Sequence, residues 1–186
     1  YVWEGELTIQ NCEVTGNTSY GEGGGLYISY GGPALIENSR FTYNYTSGDG
    51  GGILVYSMDD TLTILNSEIS GNISDDNGGG LYIDTDADVR IENCTINNNF
   101  AYYTGGGLAV YYISGSLDIR DSEISGNFTG YDGGGLYIGE SGGPITVETV
   151  QKSRMISWPL TLLHVCLVTD YGGAVLITSP EIAKSL

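Results

Sequence analysis

Apolar and polar residues alternate in short blocks that recur along the chain. Leu7-Thr8-Ile9, Ala34-Leu35-Ile36, Leu62-Thr63-Ile64, Val89-Arg90-Ile91 and Leu117-Asp118-Ile119 have apolar outer members and a variable middle one. A period of two marks a strand with one buried face. A second block ends in Val14, Phe41, Ile69, Ile96 and Ile124, with a small Cys or Ser two residues earlier. A third follows directly on three glycines: Leu26-Tyr27-Ile28, Ile53-Leu54-Val55, Leu81-Tyr82-Ile83, Leu108-Ala109-Val110 and Leu136-Tyr137-Ile138. The middle glycines, Gly24, Gly51, Gly79, Gly106 and Gly134, are 27, 28, 27 and 28 residues apart. A fixed period of this length marks a solenoid, in which each repeat stacks on its neighbours. The expected fold is all-β: a parallel β-helix with three strands per coil, about six coils of 27–28 residues, and inward side chains stacked into apolar ladders.

The polar columns fit the same frame. Asn17, Asn44, Asn72, Asn99 and Asn127 each stand seven residues before a middle glycine. An inward Asn at a corner can bond its own backbone and the Asn of the next coil, satisfying groups that a tight turn leaves open. Residues 17, 44, 72 and 127 also head N-x-S/T glycosylation sequons, as does Asn93. For the ladder positions the structural role is favoured, because a buried Asn cannot carry a glycan. Cys12 and Cys94 occupy one column three coils apart, which at ~4.8 Å per strand is roughly 14 Å. That exceeds the ~7 Å reach of a disulfide, and the column is read as buried small residues shared with Ser39, Ser67 and Ser122. Residues 1–147 therefore form five regular coils. The repeat then fails: 148–170 reads as an irregular insertion or frame-disrupted segment, and 171–186 as a remnant of a sixth coil.

Charge narrows the function classes. With 23 acidic and 6 basic residues the formal net charge is −17, which argues against nucleic acid and anionic membrane surfaces as partners. The longest apolar stretch, Met155 to Val168, is 14 residues, too short to span a bilayer. The chain opens at Tyr1, and a piece of a longer polypeptide is expected.

Phe41-Thr42-Tyr43-Asn44 matches an FxxN motif, and Gly172-Gly173-Ala174-Val175 matches GGA followed by an aliphatic residue. Together they resemble the repeats of polymorphic outer membrane proteins, within the right-handed, pectin-lyase-like β-helix class. The resemblance implies a right-handed coil and a passenger or adhesin at an extracellular, cell-surface or outer-membrane location. A protein or carbohydrate at a cell surface would be its partner.

Three constellations are candidates for chemistry. Arg90, Glu92, Asp118 and Arg120 should share one outward face in adjacent coils, where two carboxylates and two cations could serve a glycosidase or a uronate lyase. The alternative is a pair of cross-strand ion pairs, Arg90 with Asp118 and Glu92 with Arg120. Asp84, Asp86 and Asp88 alternate as calcium ligands do, without the Gly and distal Glu that complete an EF-hand. A solvated acidic turn is the alternative, so calcium is the one cofactor considered. Outward Tyr27, Tyr82 and Tyr137 on alternate coils could stack on sugars or anchor a partner, or simply be at home in an exposed sheet. A non-catalytic scaffold or adhesive module is the leading expectation; a carbohydrate-active enzyme and a calcium-stiffened solenoid are the alternatives.

Overall fold

The computed structural model describes residues 1–147 together with the backbone strands Met155–Ser157, Leu160–Thr161 and Cys166–Leu167. The remainder of the expected 148–170 insertion, the 171–186 remnant and its Gly172-Gly173-Ala174-Val175 stretch lie outside the described residues.

The alternating blocks do become strands, and each pairs in parallel with its counterpart one coil away. Leu7, Ala34, Leu62, Val89, Leu117 and Ile145 are in register across five steps of 27 or 28 residues. The described residues make about five turns rather than six, walled by four parallel sheets rather than three. The first sheet runs through Val2–Trp3, Leu26–Ser29, Ile53–Tyr56, Leu81–Thr85, Leu108–Ile113 and Leu136–Ser141, with Cys166–Leu167 at its far edge. The second holds Leu7–Gln10 and its copies, and the third Glu13–Thr15 and its copies. The additional sheet is built from Thr18–Ser19, Tyr45–Thr46, Ile73–Ser74, Phe100–Ala101 and Phe128–Thr129. Strands of two residues are too short to display a period, which is why the expectation of three strands per coil falls one short.

Inward residues stack as the pattern requires. Ile36, Ile64, Ile91 and Ile119 are fully buried in the second sheet, as are Ile53, Leu81 and Leu108 in the first. At roughly 1.5–3 kcal/mol for each fully buried aliphatic side chain, these columns dominate the favourable side of folding.

Corners carry the polar ladders. The Asn44 backbone N–H and Nδ2 both donate to Asn72 Oδ1 (2.9 and 3.0 Å), and Nδ2 also donates to the Val14 carbonyl (3.0 Å). Asn72 repeats the arrangement toward Asn99 and Phe41, and Asn99 toward Asn127 and Ile69. Asn44, Asn72 and Asn99 are at most 1% exposed. Sequons at 44 and 72 are thus occupied by structure. Asn17, on the first coil, is exposed yet keeps the bond to Asn44 Oδ1, whereas Asn93 is exposed at a corner with a left-handed φ of 51°.

A second ladder uses the Cys/Ser column, where Ser39 N–H donates to Ser67 Oγ (3.1 Å) and Cys94 N–H to Ser122 Oγ (3.0 Å). Cys94 is buried as expected and its thiol is pushed up by burial; Cys12 is exposed because its coil is covered on one side only. Both thiols are free.

The glycine triplets have a steric origin. Gly78 turns the chain at φ +65°, and a Cβ on Gly79 would lie 2.3 Å from the Phe100 carbonyl oxygen and 2.5 Å from that of Gly106. Successive coils approach too closely there for any side chain.

Candidate functional site

Outside the core, the first sheet carries a row of residues that point away from the axis: Tyr27, Leu54, Tyr82, Ala109 and Tyr137 are in register. A simple exposed sheet would leave this row in solvent. Instead Leu54, Tyr82 and Ala109 are 3%, 7% and 1% exposed and form a second apolar cluster with Tyr27 against it. The row is therefore the floor of a groove.

Both walls follow from the sequence on either side of the strand. One is the polar column immediately before the glycine triplets, Glu22, Asp49, Asn77 and Thr104. Asp49 N–H donates to Glu22 Oε2 (2.8 Å). Asn77 N–H and Nδ2 both donate to Asp49 Oδ1 (2.8 and 2.9 Å), and Thr104 Oγ1 donates to Asn77 Oδ1 (2.8 Å). The other wall is aromatic. Tyr111 stacks on Tyr82 at 6.3 Å between ring centroids, Tyr30 meets Tyr56 edge-on at 6.1 Å, and Trp3 lies 4.9 Å from Tyr30. Tyr1 meets the Tyr27 ring edge-on at 5.0 Å.

Between the walls, Glu22, Tyr27, Asp49, Leu54, Tyr56 and Tyr82 line a cavity of about 250 Å³. Its electrostatics follow from partial burial beside like charge. Desolvation pushes the Asp49 carboxyl up to about 6, opposed by the two bonds from Asn77 and reinforced by Asp76 and Glu22. Burial likewise raises the phenols of Tyr82 and Tyr27, the latter against the opposing influence of nearby Ser29. Further along the sheet, Asp84 is raised by desolvation and then by Asp86.

The structure brings some of the expected site residues together and separates others. Tyr27, Tyr82 and Tyr137 do share one outward row. Tyr82 is not free on its surface, because Tyr111 and the groove walls cover it. Arg90, Glu92, Asp118 and Arg120 do occupy adjacent strands in the expected register. Ion pairs form along each strand: Arg90 pairs with Glu92, and Arg120 Nε with Asp118 Oδ1 at 2.7 Å. Residues i and i+2 of one strand project on the same face, which brings each of these two pairs together. Arg90 and Arg120 remain about half exposed, and the four side chains stand on the second sheet, apart from the groove.

Asp84, Asp86 and Asp88 do not converge. Asp86 Oδ1 accepts from Ser114 Oγ (2.5 Å), and Asp88 Oδ1 from the Ser116 N–H and Oγ (2.7 and 2.6 Å), bonds that hold the Asp88 carboxyl below its usual range. Among the described residues no three His, Cys, Asp or Glu side chains are grouped to hold a metal ion.

Sequence reasoning missed the Glu22–Asp49 pair, although the signal exists: the residue before each triplet is polar in every coil. It also missed an apolar stripe on the fourth sheet, where Tyr45, Ile73, Phe100 and Phe128 are in register. Phe100 and Phe128 stack at 5.8 Å, and Tyr102, Tyr103 and Tyr131 cluster beside them.

Comparison with known proteins bears on the fold. A family model described as a right-handed beta helix region matches residues 2–151. No curated protein and no solved structure gives a match. Among the described residues no helix is long and apolar enough to cross a membrane.

Proposed function

The chain belongs to the right-handed β-helix family, and on that premise we propose that it is a non-catalytic binding solenoid, an adhesive or structural module displayed outside the cell. One observation carries the reading. The repeated polar residues are largely consumed by ladders that hold the coils together, whereas the aromatic rows face outward: the first-sheet groove and the fourth-sheet stripe from Tyr45 to Phe128. Rigid, outward aromatic side chains contribute contact area at little entropic loss, as partner-binding surfaces require. The resemblance of Phe41-Thr42-Tyr43-Asn44 to outer-membrane passenger repeats supports the surface location, and a protein or carbohydrate there would be the partner.

The test is an array of oligosaccharides and extracellular-matrix proteins probed with the full chain. The reading expects saturable capture, weakened by Tyr56→Ala, and no cleavage of the captured glycan. Release of new reducing or unsaturated ends would overturn it.

A second reading, a carbohydrate-active enzyme, is favoured by the Glu22–Asp49 pair. A carboxyl held at about 6 beside a second carboxyl offers the proton donor that cleavage of a glycosidic bond uses. It expects cleavage that disappears in Asp49→Asn and in Glu22→Gln, and persists when the Arg90–Arg120 cluster is neutralised.

A further inference from the structure

The groove as a binding site does not by itself say what it binds, and its chemistry narrows the class. Among the described residues the basic side chains are Arg40, Arg90 and Arg120. Each is ion-paired on the second or third sheet: Arg40 with Glu68 (3.0 Å) and Glu13 (3.9 Å), Arg90 with Glu92, and Arg120 with Asp118. The groove thus holds two adjacent carboxylates, Glu22 and Asp49, with no basic side chain among the described residues beside them. Both hydrogen bonds to the Asp49 carboxylate fall on Oδ1.

A second, independent feature points the same way. Ser29 is 1% exposed, and its hydroxyl has no hydrogen-bond partner among the described residues. It stands on the outward row in register with Trp3 and Tyr56, two residues along the strand from Tyr27. Its Oγ is therefore buried on the same row as Tyr27, close enough to that phenol to oppose the rise that burial causes. Buried hydroxyls without partners are uncommon and invite a donor.

Size adds the third restriction. About 250 Å³ is below the roughly 300–1,000 Å³ typical of pockets for drug-sized ligands and suits one side chain. Three tyrosine rings around an acidic, partly dehydrated space attract an organic cation through their π faces.

We propose that the cavity lined by Glu22, Tyr27, Asp49, Leu54, Tyr56 and Tyr82 binds an alkylammonium group, the lysine side chain of a basic polypeptide partner. The inference rests on the reading of the groove as a binding surface and names its ligand class. The methylene stem packs over Leu54 and the rings, and the ammonium donates to Glu22 and Asp49. A neutral sugar could stack on the tyrosines but would leave the paired carboxylates without a counter-charge. An anionic polysaccharide would be repelled.

The experiment is calorimetric titration of the full chain with penta-lysine, and in parallel with a neutral cello-oligosaccharide. Thermal melts of each variant confirm that it is folded. Penta-lysine is expected to bind saturably, with Kd rising about fivefold or more in Glu22→Gln and in Tyr56→Ala, and less than about twofold in Tyr56→Phe, which keeps the ring. Glu123→Gln removes one exposed carboxylate from the third sheet and is expected to change Kd less than about twofold. Equal weakening by Glu123→Gln and Glu22→Gln would overturn the proposal, since attraction would then be a property of net charge. Absence of penta-lysine binding would also overturn it. Should the oligosaccharide bind instead, in a manner lost in Tyr56→Ala, the cation assignment fails while the binding reading stands. If array capture is itself indifferent to Tyr56→Ala, the binding reading fails.

Discussion

At Asn72 one side chain closes several backbone and amide valences, and little at that corner can be changed in isolation. Its Oδ1 accepts two bonds from Asn44, and its Nδ2 donates to Asn99 Oδ1 and the Phe41 carbonyl. Asn72→Ala would leave those partners buried and unpaired. With each unsatisfied group costing about 1–3 kcal/mol, a loss of about 3 kcal/mol or more is expected from denaturant unfolding. A loss under about 1 kcal/mol would mean that water replaces the amide. Asp49 makes the opposite case, a residue held against its own preference. Its folded pKa of about 6 lies above the ordinary value of 3.8. Between these values the folded state binds more protons than the unfolded one, so this group makes stability rise as pH falls from about 6 toward 4. Asp49→Asn keeps an acceptor for Asn77 and removes the charge. The variant is expected to be more stable than the parent at pH 7, on the order of 1 kcal/mol after discounting for solvent screening at a half-buried carboxyl, and to match it near pH 4. Asp84, also raised by desolvation, acts in the same direction in both proteins and cancels in the difference curve, whereas Asp76, which helps to raise Asp49, adds its coupling to it.

The strand scale separates what neighbours in register do from what neighbours along the chain do. Arg90 and Asp118 are partners in the ladder, but Arg90 bonds Glu92 of its own strand. A double-mutant cycle on Arg90 and Glu92 is expected to give a coupling of about 0.2–1 kcal/mol, as exposed pairs do, and a cycle on Arg90 and Asp118 a smaller one; the reverse order would restore the cross-strand arrangement. Alternation at Leu62-Thr63-Ile64 was enough to place a strand, its buried face and its register, because burial on one side leaves a period that survives in sequence. Tyr45–Thr46 and its copies left no such trace, two residues being less than one period. Nor did composition reveal that Tyr82 is covered. Its burial depends on Tyr111 and on the Glu22–Thr104 wall, residues that precede or follow the strand and reach over it only once the coils are stacked. Asp49 was hidden for the same reason: its partners, Glu22 and Asn77, lie 27 and 28 residues away.

Over the whole molecule, stacking repeats about 4.8 Å apart multiplies each surface charge by its copies. Carboxylates in neighbouring coils fall within the ~10 Å Debye length of 0.1 M salt, and a net charge of −17 makes their sum repulsive. Added salt is therefore expected to raise the Tm, and the form of the response bears on calcium. A dedicated site would make CaCl2 stabilise more than MgCl2 at equal ionic strength, by an amount that saturates as a binding curve does. General screening would make the two salts equivalent. The carboxylates of Asp86 and Asp88 are already engaged by Ser114 and Ser116. A calcium ion would have to break those turn bonds before collecting ligands. Equal Tm shifts in the two salts are accordingly expected, together with no change on adding a chelator. A saturable calcium-specific rise that Asp84→Asn abolishes would instead establish a metal-stiffened coil at residues 84–88.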